Sequence, residues 1–120
     1  NPKQVSIGLN ETLAALDKNL LLKILMPEDL EIIKLIYECL SCGNKEEILT
    51  HSEEIIKLKS ELKCNKCNST NLKFEEINET DNILEKIFES GTDLILLSKN
   101  LNEASSIKKS FGGIVGILKY

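Results

Sequence analysis

Two short cysteine motifs constrain this chain more than anything else in it. Cys39-x2-Cys42 is followed, after twenty-one residues, by Cys64-x2-Cys67. Each Cys-x2-Cys turn aims two thiolates at one point, and two such turns facing each other complete a tetrahedral shell. The spacing is that of a structural zinc ribbon. A closed shell of four cysteines keeps no position open for water, which argues against metal catalysis. Two disulfides, or four reduced structural cysteines, are the competing readings. Disulfides suit secreted chains, and no signal peptide is visible here. Redox activity wants one pair at a helix start, whereas both pairs adjoin strand-like sequence. His51 lies between the pairs. As a ligand it would be surplus, so a solvent-exposed or capping role is expected for it.

With 120 residues the chain suits one domain. A hydrophobic content of 42% supports a modest core. The fifteen basic residues are all lysines, and nineteen acidic residues bring the net charge to -4. That balance does not favour a strong electrostatic grip on nucleic acid. Around the cysteines, Lys45, Lys57, Lys59, Lys63, Lys66 and Lys73 are offset by glutamates, and Phe74 is the aromatic beside the last of these lysines. Neither a phosphate track nor a stacking platform is evident. No apolar run approaches the roughly 20 residues of a membrane span.

Hydrophobic periodicity suggests an α/β arrangement. Val5–Ile7 reads as a strand ending at Gly8, and Asn10 as the cap of a helix over Glu11–Asp17 with Leu9, Leu13 and Leu16 on one face. Asn19 breaks that helix, and Leu20–Met26 reads as a buried strand. Glu28–Leu40 fits either a helix or a strand, and the cysteine turn that follows favours a strand over Ile32–Cys39. Thr50 and Glu53 match a capping box, so Lys45–Leu62 is expected to hold a short helix or polar excursion adding little to the core. Leu72–Ile77 alternates as a half-exposed strand. Thr80–Gly91 is the clearest helix, capped by Thr80, with a stripe of Ile83, Leu84, Ile87 and Phe88. A buried strand over Asp93–Ser98 follows. A helix capped by Asn102 then turns Ala104, Ile107 and Phe111 inward, and Ile114–Leu118 forms a last strand. The layout is two blocks, about 5–37 and 78–120, around a cysteine-bearing insertion. Strand-helix-strand spacing predicts a partly parallel sheet.

Catalytic motifs are absent: there is no Walker sequence, no G-x-G-x-x-G, no H-E-x-x-H and no G-x-S-x-G. Gly112-Gly113 and Gly116 have no lysine-serine partner for a phosphate loop, so close strand packing accounts for them better.

Three stretches together resemble the C-terminal domain (domain 3) of archaeal and eukaryotic class 1 peptide chain release factors. They are Ile7-Gly8-Leu9-Asn10-Glu11-Thr12-Leu13-Ala14-Ala15-Leu16-Asp17, the strand entering Cys39-x2-Cys42-Gly43 with Cys64-x2-Cys67 downstream, and Ser110-Phe111-Gly112-Gly113-Ile114-Val115-Gly116-Ile117-Leu118-Lys119-Tyr120. Lys119 stands where the family usually has arginine. The ribosome-rescue factor Pelota shares the domain type but typically lacks the cysteine pairs, so it is the second choice. The resemblance implies a three-layer α/β/α sandwich similar to ribosomal protein L30e, with an inserted four-cysteine zinc-ribbon mini-domain. Residues 1–120 would be the release-factor domain and 39–77 the insertion, with structural zinc on Cys39, Cys42, Cys64 and Cys67. The family's domain 3 begins somewhat earlier, so the chain is read as an excised or truncated domain.

Complete family members read stop codons with one domain and promote peptidyl-tRNA hydrolysis with another that carries Gly-Gly-Gln. Here Gly112-Gly113 precedes Ile114 and no such motif occurs, so this chain by itself is expected not to be an enzyme. The resemblance implies a docking module for a translational GTPase, elongation factor 1α-like or release factor 3-like, and for an ABCE1-type recycling ATPase. The ribosome would be reached through the parent protein, in the cytoplasm, with no membrane and no small-molecule substrate. The docking surface is expected on the Asn10–Asp17 and Thr80–Gly91 helices and the Gly8 turn. The alternative is a standalone L30e-like module binding RNA or the ribosome.

Overall fold

The computed structural model describes residues 4–98, 100–110 and 112–119, omitting the side chains of 108–110. The chain divides into two compact units, one of residues 1–30 with 80–120, the other of residues 31–79.

The first unit contains β1 (Val5–Ile7), α1 (Leu9–Asp17), β2 (Leu21–Pro27), α3 (Thr80–Ser90), β6 (Asp93–Leu97), α4 (Asn102–Ser110) and β7 (Val115–Leu118). The second contains β3 (Ile32–Cys39), β4 (Lys45–His51), α2 (Ile55–Glu61) and β5 (Leu72–Asn78), with a 3-10 turn at Ser52–Glu54. The α/β class expected from the sequence is present.

In the first unit the strand order is β1-β7-β2-β6. β2 and β6 are parallel, and β7 runs antiparallel to both β1 and β2. α1 packs on β1 and β7, α4 on β2, and α3 on β6. The core gathers Leu9, Leu13 and Leu16 of α1, Leu21, Ile24 and Met26 of β2, and Ile114. Gly116 is required where it stands. A Cβ there would press on the Ser6 hydroxyl and lie 2.7 Å from Leu21 and 3.2 Å from Thr12. Ser6 and Thr12 are buried and satisfy each other with a 3.0 Å hydroxyl–hydroxyl hydrogen bond.

Several local expectations change. α1 starts at Leu9, with Gly8 at φ 89° in the cap position and no side-chain cap, so Asn10 lies inside the first turn. Thr80 and Asn102 are likewise the first helical residues of α3 and α4 rather than residues before them. The strand at Asp93–Leu97 is not buried. It is the edge of its sheet, and Ile95 and Leu96 are exposed. Phe88 leaves the expected apolar stripe of α3 and is 86% exposed, while Ile83 and Ile87 are buried. Phe111, expected inward, lies outside the described residues.

In the second unit β3 is the central strand, antiparallel to both neighbours. Ile33, Leu35, Tyr37 and Cys39 alternate onto one buried face. Ile55 of α2, with Leu58, Leu62 and Phe74, packs against Ile33 and Leu35. The segment expected to add little to the core thus supplies half of this one. The capping box does not form, because Thr50 is in β4 and neither the 3-10 turn nor α2 has a side-chain cap. His51 is also corrected: it closes β4, is buried, and neither ring nitrogen has a hydrogen-bond partner. On the opposite face Lys34 pairs with Glu79 at 3.1 Å and Glu47 at 3.8 Å. Hydrogen bonding and charge from Glu79, then charge from Glu47, raise its pKa.

Candidate metal centre

The four cysteines come together in the second unit. Their sulfurs all lie within 4.8 Å of one another, with Cys39–Cys67 and Cys42–Cys64 each at 3.5 Å. No disulfide joins any of the four. Sulfurs bound at about 2.3 Å around a tetrahedral ion would sit about 3.8 Å apart. The observed spacing brackets that value, so the cluster is one that could hold a metal ion. Two ligand positions are buried and two exposed.

The two turns are built alike. In the first, the Gly43 amide donates to the Cys39 carbonyl at 2.8 Å and the Cys39 amide to the Asn44 carbonyl at 2.7 Å. In the second, the Asn68 amide donates to the Cys64 carbonyl at 2.8 Å and the Cys64 amide to the Ser69 carbonyl at 2.9 Å. The residue after each motif takes positive φ, 80° at Gly43 and 63° at Asn68. Glycine and asparagine tolerate that region best. Gly43 was legible in the sequence as a turn residue. Asn68 was missed, though its residue type at the matching position carried the signal.

Amides aim at the sulfurs as well. Cys42 N–H points to Cys39 Sγ and Lys66 N–H to Cys64 Sγ, each at 3.4 Å. Such donors stabilise thiolate. Backbone hydrogen bonding, from Cys67 most of all, brings Cys64 down to about 6. Cys67 is pushed up to about 12. A bond from the Ser69 amide pulls it down, but its hydrogen bonds with the other thiols, Cys39 first, and burial outweigh that. The shared hydrogen bonds thus favour thiolate at Cys64 and thiol at Cys67.

Side chains tie one turn to the other. Asn44 Nδ2 donates to Asn65 Oδ1 at 2.9 Å and approaches Cys64 Sγ at 3.7 Å. Asn65 Nδ2 donates to Glu46 at 3.0 Å, and the Ser41 and Ser69 hydroxyls bond at 3.1 Å. Tyr37, buried on the core face of β3, accepts from the Asn65 amide. None of these supporting roles was legible in the sequence, because they depend on two turns meeting. His51 is not in the cluster. It sits at the far end of β4, roughly 20 Å of strand from the first turn.

The geometry defines a class: an α/β domain interrupted by a small antiparallel unit with a four-cysteine cluster. The chain belongs to the eRF1 domain 3 family, whose model matches residues 1–120. It is 32% identical over 118 residues to peptide chain release factor subunit 1 of Thermococcus kodakarensis, covering 97% of this chain and 28% of that protein. The chain thus spans about a quarter of the length of such relatives. In fold it is similar to the C-terminal domain of the Methanosarcina mazei peptide chain release factor, with a TM-score of 0.59 at 23% identity, covering 100% of this chain and 72% of that one. It is also similar to Archaeoglobus fulgidus Pelota, with a TM-score of 0.51 at 15% identity, covering 98% of this chain and 24% of that one. The matched family is a non-catalytic part of a release factor. Among the described residues no helix is long and apolar enough to cross a membrane.

Proposed function

We propose that this chain is the protein-interaction domain of a translation termination factor. It docks a translational GTPase, elongation factor 1α-like or release factor 3-like, and an ABCE1-type recycling ATPase. The observation that carries the reading is the domain 3 family match across residues 1–120. The parent factor works on the ribosome in the cytoplasm, and its hydrolysis of peptidyl-tRNA belongs to a domain outside this chain. Cys39, Cys42, Cys64 and Cys67 hold one structural zinc within the second unit. The thiolate set and sulfur spacing support zinc. Zinc there would cross-link two loops and complete a small unit whose own core is slight.

The test is a binding titration of the zinc-loaded chain with the cognate GTPase. Saturable, one-to-one binding is expected. No binding, or instead a salt-sensitive affinity for structured RNA, overturns the reading.

A further inference from the structure

The edge strand β6 and the neighbouring helix α3 form an unusual surface. β6 pairs with β2 on one side, and among the described residues no strand pairs with the other. Its sequence is Asp-Leu-Ile-Leu-Leu, with Ile95 38% and Leu96 51% exposed. Edge strands this apolar are normally guarded by lysine, proline or a bulge, because their outward backbone groups template another strand. Beside the strand lies a groove of about 290 Å³ lined by Leu84, Ile87 and Phe88 of α3, then Gly91, Thr92, Asp93 and Leu94. It can take an apolar side chain or two. Phe88, on its rim, is 86% exposed.

Charge identifies what fits. Asp81, Glu85 and Glu89 recur every fourth residue along α3, all exposed, on the outward face of the helix that Phe88 borders. Lys86 is turned away to Asp17 at 3.1 Å. Asp93 faces Lys23 in register, so its charge is not free for a ligand in the way those three are. A second copy pairing through β6 would bring two such acidic helices together. We propose that this groove receives an extended basic segment of a partner protein, added beside β6 as a fifth strand. Its apolar side chain would enter between Leu84, Phe88 and Leu94, and its lysines or arginines would lie along Asp81, Glu85 and Glu89. Strand addition takes affinity from the backbone and specificity from such pockets. The inference rests on the docking reading above and names its surface.

The probes are three synthetic nonapeptides: one alternating lysine and valine around a central phenylalanine, one with glutamate for each lysine, and one with alternate residues replaced by proline. Anisotropy gives affinities with the full chain, and amide NMR shifts locate the site. The basic peptide is expected to bind at least roughly tenfold more tightly than the other two. It should shift the Leu94–Leu97 amides and weaken about tenfold with either Phe88→Ala or the pair Glu85→Lys and Glu89→Lys. Both variants alter exposed side chains, and circular dichroism verifies folding. No binding, equal binding of the proline peptide, or indifference to Phe88→Ala overturns the proposal. So does a dimer abolished by Phe88→Ala, which would make a second copy the occupant. If the GTPase binds wild type and Phe88→Ala alike, this site falls while the docking reading stands. If it binds neither, the docking reading falls first.

Discussion

The Tyr37 hydroxyl accepts a 3.3 Å hydrogen bond from the Asn65 amide, joining the central strand β3 to the second cysteine turn across 28 positions of sequence. Groups that orient ligands without touching the ion commonly change metal affinity by about 10–100-fold when removed. Tyr37→Phe is therefore expected to weaken zinc binding by about tenfold or more while leaving the ligands in place. Competition with a colorimetric chelator measures it. Unchanged affinity would mean that the turns hold themselves in position.

Metal content is the direct check on the cluster. About one zinc per chain is expected, and cobalt substitution should give the intense charge-transfer band of a tetrahedral thiolate site. Chelation should raise amide exchange in β3, β4 and β5. Cys64→Ser, at a buried ligand, should abolish stoichiometric binding. Retention of a full equivalent by that variant would move the metal elsewhere.

Acid should release the ion. Zinc binds thiolate, so protons compete with it and affinity falls as pH falls. Near neutral pH, Cys64 with its value of about 6 is already largely ionised, whereas Cys67 at about 12 releases its proton to solvent only when the metal takes its sulfur. Fewer than four protons should leave per zinc at pH 7, and the number should grow below pH 6. Calorimetry in buffers of different ionisation enthalpy counts them.

His51 offers a stability test of the opposite sign. A buried imidazole with both nitrogens unpaired carries a desolvation penalty of about 1–3 kcal/mol. His51→Leu should therefore stabilise the chain by about 1 kcal/mol. Lower stability in denaturant titration would mean that the imidazole is satisfied.

Gly116→Ala should cost about 1–3 kcal/mol by overpacking, since the added methyl meets Ser6, Leu21 and Thr12 together. Ile55→Ala should cost about 2–4 kcal/mol by emptying the small core beside Leu35. Thermal melts monitored by circular dichroism check both.

Local chemistry made some of this legible in advance. The Cys-x2-Cys spacing announces its geometry because each turn is only a few residues long. The stops at Asn19, Gly91 and Gly112-Gly113 are legible because positive φ belongs to few residue types. What depended on partners was not. Lys45–His51 pairs with Ile32–Glu38 of β3, yet its sequence, Lys-Glu-Glu-Ile-Leu-Thr-His, carries no strand signature beyond three apolar or branched residues. Asp93–Leu97 looks like a buried strand by composition, but burial follows from sheet order, and it falls at the edge. His51 looked like a surface residue because polarity alone does not tell which end of a strand is covered.

The second unit begins and ends on adjacent strands. Ile33 stands opposite Asn78, and the Glu79 amide donates to the Ile32 carbonyl at 2.8 Å. Its entry and exit points are held a single strand spacing apart, so the rest of the chain sees the whole excursion as little more than a tight hairpin closure. Such a cassette can be cut out on paper without re-threading the rest of the chain. Joining Leu30 to Thr80 through a few flexible residues would leave the four-stranded sheet with every one of its strands.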